Sequence, residues 1–259
     1  MNQVHRISVA TVLTALLGLS GLAEEPAAKE KSSKKESPKE SSAKVVKFES
    51  PEACYKALIA AKKNNDPAAS LPCFSDAMSN YLLGSMAFNL ERMSAISDGG
   101  EPVKECQKVL KKHQLFGKDL MGFLQIVDSP GGGGAPLGFM QIGDSIANKP
   151  AFMREATAAM LKMQAELERA RPKAEDPKDE PAKKKVDETK VAELKNVKVD
   201  GDSASGELVE EGKDEPQPIL FKRQAGSWVV AIAAQEPDFR KPIGGRFKFS
   251  DIKADGDSK

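Results

Sequence analysis

The spacing of apolar side chains divides the chain into a helical first half and a strand-like last part. Ser50-Pro51-Glu52 has the form of a helix start, with a hydroxyl to cap, a proline in the first turn and an acid where the helix dipole favours it. Ala53, Ala57, Leu58 and Ala61 follow at helical spacing, and Asn64-Asn65-Asp66-Pro67 ends the segment. Asp66-Pro67 opens a second helix through Leu71. Phe74-Ser75-Asp76 leads into a third, with Tyr81, Leu82, Met86, Leu90 and Met93 on one face and Asp98-Gly99-Gly100 as its stop. Glu101 to His113 predicts a further helix with Val103, Val109 and Leu110 inward. Leu120 to Val127 fits helix or strand equally, and Ser129 to Pro136 is expected to be loop. Lys149-Pro150 opens a last helix to about Arg171, with Phe152, Ala156, Ala159, Met160 and Met163 on one stripe.

Beyond residue 190 the pattern changes to that of strands. Val191–Val199 reads as one, Asp200-Gly201 is a strong hairpin signal, and Ser203 to Glu210 returns. Pro218 to Arg223 makes a third strand, Ala225-Gly226 a tight turn, and Trp228 to Ala234 a fourth. That fourth run does not alternate, so both its faces are expected to be covered, in the centre of the sheet or under the helices. Arg246 to Phe249 predicts an edge strand before a frayed tail.

Three stretches lack a core-forming pattern. Residues 1–23 read as a signal peptide: a positive end, an apolar middle from Ile7 to Leu22, and Gly21 and Ala23 before the cut. An uncleaved anchor is the alternative, although the apolar run is shorter than the roughly 20 residues a spanning helix needs. Residues 24–47 are Glu, Lys, Ser, Ala and Pro, too polar to offset the entropy of ordering them, and read as a charged tether. Residues 172–188 form a second charged, proline-punctuated stretch. We read it as an insertion within a single domain spanning 48–236, because the late strands alone make too small a sheet to hold a core. Residues 237–259 supply the edge strand and tail.

Charge narrows the partners. The formal charge is +1, and removing residues 1–23 takes away Arg6 and brings it to zero. A neutral, mixed surface offers no basic stripe for nucleic acid and no polybasic attraction to lipid. No segment after the signal peptide is apolar enough to span a bilayer. Cleavage also removes His5 and leaves His113 as the remaining histidine. Three cysteines, Cys54, Cys73 and Cys106, make one disulfide plus one free thiol permissible in an exported protein. Cys54 and Cys73 flank a turn-back and are the candidate pair; three small buried apolar side chains is the alternative. Their spacings match no zinc motif.

Helices followed by an antiparallel meander is the α+β plan. Ser50-Pro-Glu-Ala-Cys-Tyr-Lys-Ala-Leu-Ile-Ala-Ala-Lys-Lys-Asn-Asn-Asp-Pro67 with Leu71 to Ser75, and then Val197-Lys-Val-Asp-Gly-Asp-Ser-Ala204 and Gly226-Ser-Trp-Val-Val230, resemble the start and finish of NTF2-like proteins of the lumazine-binding-like and SnoaL-like groups. The resemblance covers residues 48–110 and 190–234. It implies N-terminal helices closing the wide side of a curved antiparallel sheet, with the strand after the glycine-tryptophan turn central. It speaks to fold and hardly to activity.

No catalytic constellation emerges. A Ser-His-Asp or Cys-His site would have to use His113, which sits at a helix end where an imidazole caps or faces solvent. Gly201-Asp-Ser203 lies in a hairpin turn and Gly143-Asp-Ser145 in a loop before Lys149, so neither has the strand-turn-helix setting of a nucleophile elbow. Gly131 to Gly134 lacks the Gly-Lys-Ser/Thr of a phosphate cradle. Ketosteroid-isomerase-like members of the superfamily the chain resembles use an acid and a tyrosine, but Tyr55 follows the core face only approximately. Glu207, Glu210 and Glu211 lie on a strand whose opposite face is Leu208 and Val209. A concave pocket under the helices would draw on Tyr81, Phe152, Met160, Met163, Phe221 and Trp228, which equally serve as core. The reading is an exported, non-catalytic binding module for a small apolar ligand or a protein partner, without cofactor or metal. The alternatives are a cofactor-free isomerase or cyclase, and a structural envelope protein that forms a homodimer.

Overall fold

The computed structural model describes residues 46–95, 100–128, 134–170, 192–210, 215–233, 235–241, 249 and 252. The expected signal peptide, most of the tether, the insertion at 172–188, the loop from Ser129 to Gly133 and the expected edge strand apart from Phe249 lie outside these residues. The remainder is α+β: helices on the N-terminal side, then a four-stranded antiparallel open sheet.

Helix α1 (Pro51–Lys63) starts as its sequence dictates, with the Ser50 hydroxyl accepting the Ala53 amide at 3.1 Å. Its inward positions are Cys54, Tyr55, Leu58 and Ala61, while Ala53 is exposed. The expected second helix is a 3₁₀ segment, Pro67–Cys73, in which Pro72 removes a donor that a longer α-helix would need. Helix α2 (Asp76–Ser94) is capped by Ser75 and buries Leu82, Leu83, Met86 and Leu90. Helix α3 (Glu101–Lys112) buries Val103, Cys106, Val109 and Leu110. The ambiguous stretch is helix α4 (Leu120–Asp128).

Two expectations about the middle are corrected. Ala135 and Pro136 are not loop: they open helix α5 (Ala135–Asp144), with the proline in its first turn. Gly143 and Asp144 form the last turn of that helix and Ser145 its cap, so Gly143-Asp-Ser145 is a helix end rather than a loop. Helix α5 packs closely on α2 through glycine in both directions. A Cβ on Gly84 would lie 1.9 Å from the Phe139 carbonyl oxygen, and one on Gly143 would lie 2.0 Å from that of Asn80. Helix α6 (Lys149–Ala170) buries the stripe Phe152, Ala156, Ala159, Met160 and Met163.

Strands β1 (Glu193–Asp200), β2 (Ser203–Val209), β3 (Gln217–Gln224) and β4 (Ser227–Ala231) pair in sequence order. The register of β1 on β2 shifts between Lys195 and Lys198, where Asn196 takes φ 52°. On β2 the buried positions are Ala204, Gly206 and Leu208. Strand alternation therefore puts Val209 on the side of Glu207, so Leu208 and Val209 do not share a face as expected.

Strand β4 is buried at all five positions, yet it is the edge of the sheet and not its centre. This also departs from the central strand that the NTF2-like resemblance implies. Both observations have one cause: chain from the helical half covers the edge. Trp228 donates its amide to the Phe48 carbonyl at 2.9 Å, and Ser75 donates its own to the Val230 carbonyl at 2.8 Å. A parallel bridge joins Phe74 to Val230. An edge strand otherwise presents unpaired backbone groups.

One apolar core joins the two halves, taking Leu58, Leu82, Leu90, Phe152 and Met163 from the helices and Leu208, Ile219, Phe221, Trp228 and Val230 from the sheet. Among the described residues no helix is long and apolar enough to cross a membrane.

Candidate binding site

Phe152, Met160, Met163, Phe221 and Trp228 all belong to that shared core, where none is more than 9% exposed. Tyr81 does not join them. It sits half-buried with the smaller group of Ala77, Met140 and Phe239, edge-on to Phe139 at 5.6 Å.

His113 occupies the C-cap of α3, as its place in the sequence suggests, but its side chain does not face solvent. It is 6% exposed, meets the Phe152 ring edge-on at 5.1 Å and lies 3.3 Å from Glu155 Oε2. Lys112 donates to the other Glu155 oxygen at 2.6 Å. The lysine hydrogen bond leads in holding the Glu155 carboxyl below its ordinary range, and the histidine adds to it. This group fastens α3 to α6 and opens onto neither of the two hollows beside strand β3.

The first of those hollows is a polar cleft of about 180 Å3 at the N-terminus of α2, lined by Asp76, Lys222, Gln224, Glu236, Phe239 and Arg240 among others. Ser75 organises it: the hydroxyl accepts the Met78 amide at 3.1 Å and donates to Glu236. The Glu236 side chain is 4% exposed, receives Lys222, and accepts the Ile232 amide at 3.1 Å. Arg240 lies 3.3 Å from Asp76, and Lys241 3.5 Å from Asp238. Each cation here therefore has an acid of its own, and both Glu236 oxygens are engaged. The arrangement binds the segment after β4 to the start of α2.

The second hollow, about 220 Å3, lies over the hairpin end of the sheet. Leu220 lies on its floor with Lys198, Asp200, Ser203 and Ser205 around it, while Ala204 and Phe221 border it from the next row with their side chains buried in the core. Lys198, Ser205 and Leu220 stand in one cross-strand row, so they share a face of the sheet. In the neighbouring row Val199 is 58% exposed, although Ala204, Phe221 and Val230 beside it are buried. Of the expected lining residues Phe221 alone borders this hollow, and its side chain is 1% exposed in the core.

No family model matches the chain, and no curated protein and no solved structure matches it either.

The remaining polar residues of note lie outside both hollows. The Tyr55 hydroxyl donates to the Ala192 carbonyl at 2.6 Å, and burial, helped by the charge of Glu210, pushes it up to about 12. Burial likewise raises Tyr81. Glu91 on α2 is raised by burial, with Asp119 adding to it, and among the described residues its Oε2 is buried without a hydrogen-bond partner. Among the described residues no three His, Cys, Asp or Glu side chains are placed to hold a metal ion.

Sequence reasoning missed Glu236 and the cleft around it. Its position straight after an apolar strand carries no motif, and an acid there reads as the start of a solvated loop.

Proposed function

We propose that the chain is an exported, non-catalytic binding module that takes a small apolar ligand or a protein partner at the hairpin end of its sheet. The observation that carries this reading is the hollow over the Leu220 face of the sheet, rimmed by Lys198, Asp200, Ser203 and Ser205. Export rests on the signal-like order of residues 1–23. The helix-then-meander order is in keeping with an NTF2-like scaffold, from which the edge position of β4 departs. An isomerase or cyclase would use an acid of raised pKa facing a pocket. Glu236 faces a cleft with both oxygens engaged, and Glu91, which is raised, faces neither hollow.

Titration of the mature chain with the fluorescent apolar probe 1-anilinonaphthalene-8-sulfonate tests the reading. Saturable binding that Leu220→Glu and Ser205→Trp each abolish, with circular dichroism unchanged, supports it. Absence of binding, or binding that both variants retain, overturns it.

A further inference from the structure

Cys54 and Cys73 meet where α1 leans on the end of the 3₁₀ segment. The Cys54 thiol donates to the Cys73 carbonyl oxygen at 3.3 Å, and both residues are wholly buried. All three cysteines are free thiols in the structure, and the nearby Cys73 side chain, with burial, drives the Cys54 thiol far up. The third cysteine, Cys106, sits on α3, a helix that packs against α2 and α6. The loop between the pair is fastened at both ends: Ser50 caps α1 before it, and Phe74 bridges to Val230 after it.

We propose that Cys54 and Cys73 are oxidised to an intrachain disulfide in the mature protein, leaving Cys106 as the free thiol. In the folded, reduced chain a protonated, buried thiol is a poor nucleophile, so the bond forms during folding, before the core closes. The co-reactant is a disulfide, either a low-molecular-weight one or that of a thiol–disulfide oxidoreductase. One cysteine thiolate attacks it, forming a mixed disulfide and releasing one thiol. The second cysteine displaces the other thiol. Two S–H bonds and one S–S bond are consumed, one protein S–S bond and two S–H bonds form, and the two electrons pass from the protein to the co-reactant. The bond closes a separation of 19 residues and restricts the unfolded chain accordingly. The proposal rests on the export reading only for the compartment that supplies the oxidant.

Refolding the mature chain in a glutathione redox buffer separates it from that reading. After denaturation, alkylation with iodoacetamide and digestion, one cross-linked peptide pair joining Cys54 to Cys73 and one alkylated Cys106 are expected. Cys106→Ser should give the same cross-link. Relative to the reduced chain the thermal midpoint should rise by roughly 6–12 °C, a shift that Cys73→Ser abolishes. Three alkylated cysteines, or a cross-link that includes Cys106, would overturn the assignment without touching the binding proposal.

Discussion

The amide of Trp228 donates to the carbonyl of Phe48 at 2.9 Å, and the hydroxyl of Ser227 accepts the Phe48 amide at the same distance. The last strand is thus closed along its outer edge by chain that precedes the first helix. With the Phe74–Val230 bridge, this makes the helical half part of the sheet's hydrogen bonding as well as its cover. Neither half buries its apolar face without the other.

Removing Glu236 should loosen that joint. Glu236→Ala leaves Lys222 without its acid and Ser75 without an acceptor, and the loss should be about 3 kcal/mol. Urea unfolding followed by circular dichroism measures it. A change within experimental error would mean that the segment after β4 is held by other contacts.

The approach of α2 to α5 leaves no room for a methyl group. Gly84→Ala and Gly143→Ala both drive a carbon into a backbone carbonyl of the facing helix and should each cost about 2–3 kcal/mol. A substitution that leaves the thermal midpoint unchanged at either position would show that the helices lie further apart.

Acid should weaken the fastening of α3 to α6. Glu155 is held below its ordinary value of 4.5, first by Lys112 and then by His113, so its contribution is present above that value and is lost as pH falls through the folded pKa. Thermal midpoints of the parent chain and Glu155→Gln should differ at pH 7, and the gap should narrow as pH falls below 4.5. A constant gap down to pH 3 would contradict this.

Glu91 has the opposite sign. Burial raises it above its ordinary value of 4.5, so folding favours the protonated form and the ionised carboxylate costs stability at neutral pH. Glu91→Gln should therefore have the higher midpoint at pH 7, with the advantage gone below about pH 4. A less stable variant at pH 7 would place a partner on Oε2.

Much of the fold is legible in the sequence because it is written in local signals. Ser50-Pro51 starts a helix by capping, Asp200-Gly201 and Ala225-Gly226 make turns, and the stripe from Phe152 to Met163 repeats at helical spacing. Helix α5 is not legible. Pro136 and Gly143 read as loop, and the reason for a glycine at 143 lies on another helix, in the backbone of Asn80. The unbroken apolar run of β4 tells that both its faces are covered but not that it is an edge, since its partners there, Phe48 and Phe74, are remote in sequence. The candidate pocket is a similar case. Five of its residues enter the one core, but whether an apolar group lines a space or fills it depends on what faces it. The polar cleft stays hidden because Ser75, Lys222 and Glu236 meet only in the folded chain.

Limited proteolysis between Arg171 and Val191 probes the union of the helical half with the sheet most directly. The account predicts that the cut chain elutes from size exclusion as one species containing both fragments and unfolds in one transition. Two fragments that part on the column, each with its own folded spectrum, would contradict it.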